Sequence, residues 1–370
     1  MITSSPVTPQ APAKWTVLLY SAADNNLTSY MVDDVKEVES VGSDAYTNLV
    51  AQVDQGGDVG AARYLLQKSS DPSQISSPKV GDLGSMNMSD PDQLADFIKW
   101  GVQSYPAEHY MVVISDHGNG WKGAVQDVSH NGWMTPGMIR EGFEKAQAAT
   151  GKKIDVLGMD ACLMASTEYA HEMKDCADYL VLSEQTEGAD GWNYSRILNS
   201  EMLNNLKSMQ MMKINVDPRE LAVMGVSSAE LRQDTLPTMS AIDTSKVPAL
   251  TAAVSDLGKA IVASDTPGSV ILDAARSSES FYGYKDLGDF TKNLQQGSAS
   301  DAIKEAAAKT SVALKDAVIA EQHSDTYPGA TGLTIEVPTW GGVQSGYTDL
   351  KFDRDSQWSQ ALQKVTSDNK

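Results

Sequence analysis

The sequence predicts an α/β fold, a three-layer αβα sandwich built around a mainly parallel sheet. Strand and helix patterns alternate through the first half of the chain, as successive βαβ units do. Two of the strand patterns, 110–114 and 154–159, are short apolar runs typical of strands buried in a parallel sheet. A chain of 370 residues, 41% of them hydrophobic, is long enough for a large core. We therefore expect one large domain with a helix-rich C-terminal extension.

The alternation begins close to the N-terminus. An apolar run predicts a strand at 15–20, and helical spacing of apolar residues follows at 27–41, with Asn26 as the N-cap. Two further apolar runs predict strands at 48–53 and 62–67.

A second group of units surrounds the two buried strands. Asp90 caps a helix predicted at 91–103, with Pro91 in its first turn, and the strand at 110–114 follows. A Gly- and Asn-rich stretch comes next, at 118–133. The remaining elements of this half are helices at 136–149 and 163–174, which alternate with strands at 154–159 and 179–183.

The second half of the chain is predicted to be rich in helices. They are expected at 196–212, 218–232, 247–263 and 300–320, with short strands at 238–242 and 332–337. We divide the chain into a flexible tail at 1–14, a core at 15–200 and a helix-rich part at 201–370 that packs on the core and adds short strands.

The charge balance excludes some partners. The 29 basic and 49 acidic residues give a net charge of −20, which repels nucleic acid and anionic membranes and favours cationic partners. No stretch approaches the roughly 20 apolar residues that cross a bilayer. We expect no nucleic-acid partner and no membrane span, and the composition leaves the oligomeric state open.

The N-terminal tail bears on localisation. It is rich in Ser, Thr and Pro and holds no apolar segment like that of a signal peptide. Tethers of this composition often follow a removed signal or lipid anchor. We therefore expect an exported protein, whether secreted, periplasmic or tethered to a surface, whose signal is absent from this chain.

Two reactive side chains follow the buried strands. His117 comes just after the strand at 110–114, and Cys162 comes just after the strand at 154–159. Ligands bind in crevices at the carboxyl ends of such strands. A thiol needs a nearby base to be a good nucleophile at neutral pH, and His117 supplies one. Cys176 lies 14 residues beyond Cys162 around a predicted helix, too far for a disulfide, so Cys162 is expected to be a free thiol.

Other chemistries fit these residues less well. Asp116, His117 and Asp160 form a candidate metal site at adjacent strand ends. The segment 118–123 matches G-x-G-x-x-G, but no helix is predicted directly after it, and Trp121 would crowd a pyrophosphate. No G-x-S-x-G motif and no H-E-x-x-H motif occurs.

The chain resembles the clostripain family of cysteine peptidases, which are related in fold to caspases, gingipains and legumain. Two motifs carry the resemblance, His-Gly-Asn-Gly-Trp at 117–121 and Asp-Ala-Cys-Leu-Met at 160–164. Further similar segments lie at 20–27, 97–100, 183–184, 191–194, 236–243 and 332–338. The resemblance thus covers roughly residues 15–360, and it implies that 15–200 forms a caspase-like catalytic core.

The resemblance implies a role for each site residue. Cys162 would be the nucleophile, and His117 would donate a proton to the leaving amine. The N–H groups of Gly118 and Cys162 would form the oxyanion hole. Asp160 and Asp190 would lie in the pocket that selects Arg or Lys. For Asp160, the alternative is a helix N-cap; for Asp190, it is an ordinary loop carboxylate.

Ser183 and Glu184, at the end of the next strand, are expected to line the same cleft, although they could equally do no more than satisfy backbone groups there.

Family members are often zymogens cut after a basic residue between the His and Cys strands. Here Lys122 and Arg140 are the nearest candidates, because no Lys or Arg lies from 123 to 139. Activity without cleavage fits the sequence equally well.

We expect no obligatory cofactor. Some relatives depend on Ca²⁺, and acidic loops occur at 54–58 and 184–190, but neither has EF-hand spacing. Three functions stay open: a cysteine endopeptidase that cleaves peptides and proteins after Arg or Lys through a thioacyl intermediate, a catalytically silent peptide-binding module of the same fold, and a metal-dependent hydrolase.

Overall fold

The computed structural model describes residues 12–71, 73–198, 217–229, 231 and 235–367. Its helices are α1 (Thr28–Val41), α2 (Pro91–Ser104), α3 (Pro136–Thr150), α4 (Thr167–Met173), α5 (Tyr194–Ile197), α6 (Pro218–Ser228), α7 (Val247–Ala263), α8 (Gly268–Arg276), α9 (Leu287–Gln296), α10 (Asp301–Ala317), α11 (Lys351–Ser356) and α12 (Trp358–Ser367). Its strands are β1 (Ala13–Ala22), β2 (Thr47–Asp54), β3 (Ala61–Leu65), β4 (Lys79–Gly84), β5 (Ala107–Ser115), β6 (Ala124–Asp127), β7 (Gly132–Met134), β8 (Ile154–Asp160), β9 (Ala177–Leu182), β10 (Thr238–Asp243), β11 (Ser280–Phe281), β12 (Tyr284–Asp286), β13 (Val318–His323) and β14 (Thr334–Ile335). No helix among these residues is long and apolar enough to cross a membrane.

A nine-stranded sheet forms the centre of the molecule. Its strand order is β13-β10-β9-β8-β5-β1-β2-β3-β4. The five middle strands, from β9 to β2, run parallel, and an antiparallel pair extends the sheet at each side. The prediction of a mainly parallel sheet is therefore confirmed.

Both faces of this sheet are covered, which makes the fold a three-layer sandwich. Along β1 the buried side chains alternate, with Leu18 and Tyr20 in one apolar core and Val17 and Leu19 in the other. The first core also contains side chains of α2, α3, α4 and α7, while the second contains side chains of α1 and α6. Helices thus pack on both faces, as the βαβ succession predicts.

The structure corrects several predicted boundaries. The helix expected at 163–174 begins only at Thr167, because Leu163 has a φ of 67° and Ser166 caps the helix by accepting from Tyr169 N. The helix expected at 300–320 ends at Ala317, where β13 begins. The helix expected at 218–232 ends at Ser228, and the strand expected at 332–337 is reduced to β14.

Two of the predicted segments lie largely outside the residues that the structure describes. The tail predicted at 1–14 is described only from residue 12, and most of the helix predicted at 196–212 lies outside the described residues. The helix-rich second half contributes β10 and β13 to the central sheet.

Candidate active site

The sheet register brings the two sequence motifs together. β5 and β8 are parallel neighbours, with Ser115 paired to Asp160 at their carboxyl ends. One residue further on, Asp116 N donates to Asp160 O at 3.2 Å. The loops that carry His117 and Cys162 therefore leave the same edge of the sheet side by side.

Gly118 is in close contact with the cysteine backbone. A Cβ atom added at Gly118 would lie 2.5 Å from the carbonyl oxygen of Cys162, closer than real Cβ atoms approach. Gly118 also forms an antiparallel bridge with Ala124, in which the flanking bonds run from Val125 N to His117 O and from Asn119 N to Gly123 O. In such a pair the N–H of Gly118 itself points away from its partner strand and is free to meet a ligand.

The Cys162 loop is fixed by the segment that follows β9. Leu163 N donates to Gln185 O at 3.1 Å, and Ala165 N donates to Ser183 O at 2.8 Å. These bonds hold Leu163 at a positive φ, which is strained for a side chain of this size. The thiol lies against the same segment, where its sulfur accepts from Glu187 N at 3.3 Å.

The environment of Cys162 and His117 favours the uncharged form of both side chains. Burial raises the pKa of the Cys162 thiol, and the charge of Asp160 adds to that shift. Burial also lowers the pKa of His117. Both shifts favour an uncharged thiol and imidazole over an ion pair.

Asn26 orients the His117 ring. The Nε2 atom of His117 lies 2.8 Å from Asn26 Oδ1. Because an amide oxygen only accepts, Nε2 carries the proton in this pair and Nδ1 keeps its lone pair. The prediction that Asn26 is a helix N-cap is wrong, since Leu27 holds that position and makes no side-chain cap bond.

Asp116 anchors the backbone of the histidine loop. Its carboxylate accepts from His117 N at 2.6 Å, from Gln126 N at 2.5 Å and from Asn25 Nδ2 at 2.7 Å. Its oxygens are therefore committed to loop structure.

A cavity of about 190 Å³ opens beside the two side chains. Cys162 and His117 line it together with four acidic residues, Asp34, Asp116, Asp160 and Glu187. Asp34 comes from α1, and Glu187 comes from the segment after β9. The cavity is therefore acidic and adjoins the thiol.

Asp160 is held by several donors at the inner wall of this cavity. Tyr194 Oη donates to Asp160 Oδ2 at 2.8 Å, and Ser115 and the backbone of Trp192 also bond this carboxyl group. Burial raises the pKa of Asp160 and, more strongly, that of Glu187, and the negative charge of Asp160 raises the pKa of Glu187 further. Asp160 is not the cap of the following helix, because Ser166 occupies that position.

The other predicted pocket residues lie elsewhere. Ser183 Oγ bonds Thr238 Oγ1 at 2.9 Å, and Glu184 Oε2 accepts from Gly332 N at 2.9 Å, so both point into the protein and neither lines the cavity. Asp190 is exposed and lines a neighbouring cavity of about 240 Å³, which shares Asp34 with the first.

Three site residues were not found by sequence reasoning. Glu187 lies within the acidic loop at 184–190, and Tyr194 lies within the segment 191–194 that resembles the clostripain family, so the sequence does mark both stretches. Asp34 is one of several acids along an amphipathic helix, and no pattern in the sequence distinguishes it.

The candidate metal site is not formed. Across the described residues, the group whose potential ligand atoms lie within 4.8 Å of one another is Asp24, Asp127 and His130, and it does not include Asp116 or Asp160. That group fits calcium poorly, because calcium prefers oxygen ligands and both Asp127 oxygens already accept backbone N–H groups, from His130 and from Met88.

The fold and the site together define an α/β protein with a cysteine and a histidine on adjacent strand ends beside an acidic cavity. A model of the clostripain family matches residues 19–364. The chain is also similar to clostripain from Hathewaya histolytica, with 25% identity over 219 residues. That match spans 50% of this chain but 42% of the relative, so the chain matches less than half of that relative's length.

Solved structures with the same fold cover nearly the whole chain. A secreted C11 cysteine protease from Bacteroides thetaiotaomicron, "iotapain", gives a TM-score of 0.71 at 16% identity, over 94% of this chain and 99% of that one. A second structure of a secreted C11 cysteine protease from the same organism, in complex with an irreversible peptide inhibitor, gives 0.63 at 22% identity, over 95% and 99%. This chain belongs to the clostripain family.

Proposed function

We propose that this protein is a cysteine endopeptidase that cleaves peptide bonds after Arg or Lys. The observation that carries the proposal is the close contact of Gly118 with the carbonyl of Cys162, which joins the two motifs at the mouth of an acidic cavity. One relative with this fold is described in complex with an irreversible peptide inhibitor, which supports a peptide as the ligand.

The side chains suit nucleophilic catalysis. Cys162 Sγ would attack the scissile carbonyl carbon while the thiol proton passes to the lone pair on His117 Nδ1. The N–H groups of Gly118 and Cys162 would bind the oxyanion. His117 would then protonate the leaving amine as the C–N bond breaks, and water would hydrolyse the thioester to restore the thiol.

The acidic wall suits a basic substrate residue. Asp160 would lie beside the side chain that precedes the scissile bond, and Asp190 would add charge from the rim.

We also propose export, on the basis of the Ser/Thr/Pro-rich N-terminal segment and the relative described as secreted.

Self-processing at the two predicted positions would require local unfolding. Lys122 ends a 3₁₀ turn, its carbonyl accepts from Trp133 Nε1 at 2.8 Å, and its ammonium lies over the ring of Trp121. Arg140 lies within α3 and pairs with Glu172. Proteases cut extended segments, so we propose that the protein is active without cleavage at either residue.

Fluorogenic peptides that end in Arg, Lys, Asp or Ala test the proposed function. The wild type is compared with Cys162→Ala, with an iodoacetamide-treated sample and with Cys176→Ala, a matched control whose thiol is buried away from the cavity. We expect cleavage after Arg and Lys alone, lost in Cys162→Ala and after alkylation and kept in Cys176→Ala.

Two results would favour the other functions. Binding of Arg peptides without turnover would indicate the silent module. Turnover that survives alkylation but is lost with a chelator would indicate a metal-dependent hydrolase.

A further inference from the structure

Two parts of the family resemblance take no part in the proposed reaction: Trp121, which ends the motif at 117–121, and the segment 332–338. The structure joins them by a hydrogen bond. Trp121 Nε1 donates to Glu336 Oε2 at 2.9 Å, across 215 positions of the sequence. Both residues are only 5% exposed, so this bond connects the loop that carries His117 to the second half of the chain within the protein interior.

The acceptor of this hydrogen bond is itself held in place. The indole of Trp121 meets the ring of Tyr347 edge to face, with centroids 5.0 Å apart. The hydroxyl of Tyr347 donates to Glu168 Oε1 at 2.8 Å, and Glu336 N donates to the same oxygen at 2.9 Å. Packing and hydrogen bonds thus fix both partners, which is how proteins orient residues that support a reacting group.

The backbone just before Trp121 is in contact with the cysteine loop. A Cβ atom added at Gly120 would lie 3.1 Å from Leu163 O and 3.1 Å from Tyr284 Cζ. Tyr284 Oη also donates to Asn119 O at 2.9 Å. Because Trp121 follows directly, a shift of its ring would move the backbone that packs on the cysteine loop.

The segment that contains Glu336 also binds the cysteine loop. Thr334 N donates to Ala165 O at 2.8 Å, and Thr334 forms a parallel bridge with Ser166. One short segment therefore contacts both catalytic loops, through residues two positions apart. These contacts set the separation of the loops, on which proton transfer between the thiol and the imidazole depends.

We propose that Glu336 is a positioning residue, which holds the histidine loop against the cysteine loop through its hydrogen bond to Trp121. This inference rests on the proposed function. Glu336 is not among the residues that line the cavity beside Cys162. Loss of its bond to Trp121 should therefore lower kcat and leave KM unchanged.

The test compares Trp121→Phe with Trp358→Phe. Trp358 is similarly buried, and its Nε1 donates to Glu336 O at 2.9 Å, so each variant loses one buried indole hydrogen bond to the same residue. Only Trp121 belongs to the histidine loop. With an Arg or Lys peptide that the wild type cleaves, Trp121→Phe should lower kcat about tenfold or more with KM within about twofold, because small displacements of a reacting group are costly in rate. Trp358→Phe should keep kcat within about threefold, although the urea midpoints of both variants should fall by a similar amount.

Two variants of Glu336 test the same bond from its other side. Glu336→Gln keeps an oxygen that accepts from Trp121 and should retain kcat within about threefold of wild type. Glu336→Met has a similar length but no oxygen, and it should lower kcat as much as Trp121→Phe does. The double variant should lose no more than either single variant, because both remove one bond. If Glu336→Met does not fold, the comparison of Trp121→Phe with Trp358→Phe decides.

A binding measurement separates affinity from turnover. In a Cys162→Ala background, a fluorescein-labelled Arg peptide should bind with and without Trp121→Phe with affinities that agree within about twofold, because the substrate cavity is unchanged.

The outcomes distinguish the inference from the function on which it rests. A wild type that cleaves neither Arg nor Lys peptides removes the proposed function, and the inference falls with it. A wild type that cleaves them, with a Trp121→Phe variant whose kcat stays within about threefold, overturns the inference alone. Equal losses of kcat in Trp121→Phe and Trp358→Phe also overturn it, because they would show a general loss of stability. A Glu336→Gln variant as slow as Glu336→Met overturns it as well, since the hydrogen bond to Trp121 would then not be what matters.

Discussion

Replacing Gly118 by Ala tests whether the close approach of the two loops sets the catalytic geometry. The new Cβ atom would lie 2.5 Å from Cys162 O and 3.0 Å from both Ala161 Cβ and Met164 Sδ. Ordinary van der Waals contact begins at 3.4 Å, so the Gly118 and Cys162 backbones must separate by about 0.9 Å. The φ of Gly118 is not in the left-handed region, so Ala is hindered there by space alone.

The expected effect is mainly on turnover. A displacement of about 1 Å between the nucleophile and the oxyanion donors costs about 100-fold in rate, which is about 2.7 kcal/mol of transition-state free energy. The free energy of unfolding should fall by about 1–3 kcal/mol, as in other overpacked sites.

The assay measures kcat and KM with an Arg peptide, together with the urea midpoint of unfolding. Gly137→Ala is the matched control, because a Cβ atom at this position in α3 would meet its nearest neighbours only at 3.8 Å. We expect the control to keep full activity and to gain a few tenths to about 1 kcal/mol of stability. A Gly118→Ala enzyme with kcat within about threefold of wild type would refute the reasoning.

Two further predictions concern the dyad. Asn26→Ala removes the hydrogen bond that orients the His117 ring, so kcat should fall about fivefold to tenfold with KM unchanged. The control variant Asn48→Ala loses only a hydrogen bond to Thr16 and should leave kcat as it is. A rise in KM with constant kcat would contradict this role of Asn26. Because burial raises the pKa of Cys162, the alkylation rate by iodoacetamide should rise about tenfold per pH unit as far as about pH 8.5, and a plateau near pH 7 would instead indicate a preformed thiolate.

The positions of His117 and Cys162 could be predicted from the sequence because they depend on one local fact. Each follows a short apolar run, and the carboxyl ends of parallel strands share an edge of the sheet. The family resemblance was confirmed over residues 19–364. The same local argument misplaced Ser183 and Glu184, which also follow a strand. β9 lies beyond β8 in the sheet, and β10 pairs with it, so Thr238 covers the end of β9.

The helix that was expected to start at residue 163 shows how long-range contacts override periodicity. Apolar spacing continues through 163–174, but the hydrogen bonds from Leu163 N and Ala165 N to the segment after β9 prevent the first turn from forming. Those bonds connect residues about 20 positions apart, and no pattern within the helix indicates them. The sequence likewise predicts Asn26 to be a helix cap, because no local pattern indicates that its side-chain partner is His117, 91 residues away.

Asp34 marks the limit of what strand-end reasoning can find. Strand-end reasoning identifies residues in the loops at the ends of β5 and β8. Asp34 instead lies in α1, which packs on one face of the sheet, and its side chain lines the cavity. On the helix it looks like any acid of a solvated face, because Asp33 and Glu37 stand beside it. Its burial separates Asp34 from the exposed Asp33, and that burial arises from the fold, in which Asp34 lines the same cavity as Glu187 and Gly191, not from its neighbours in sequence.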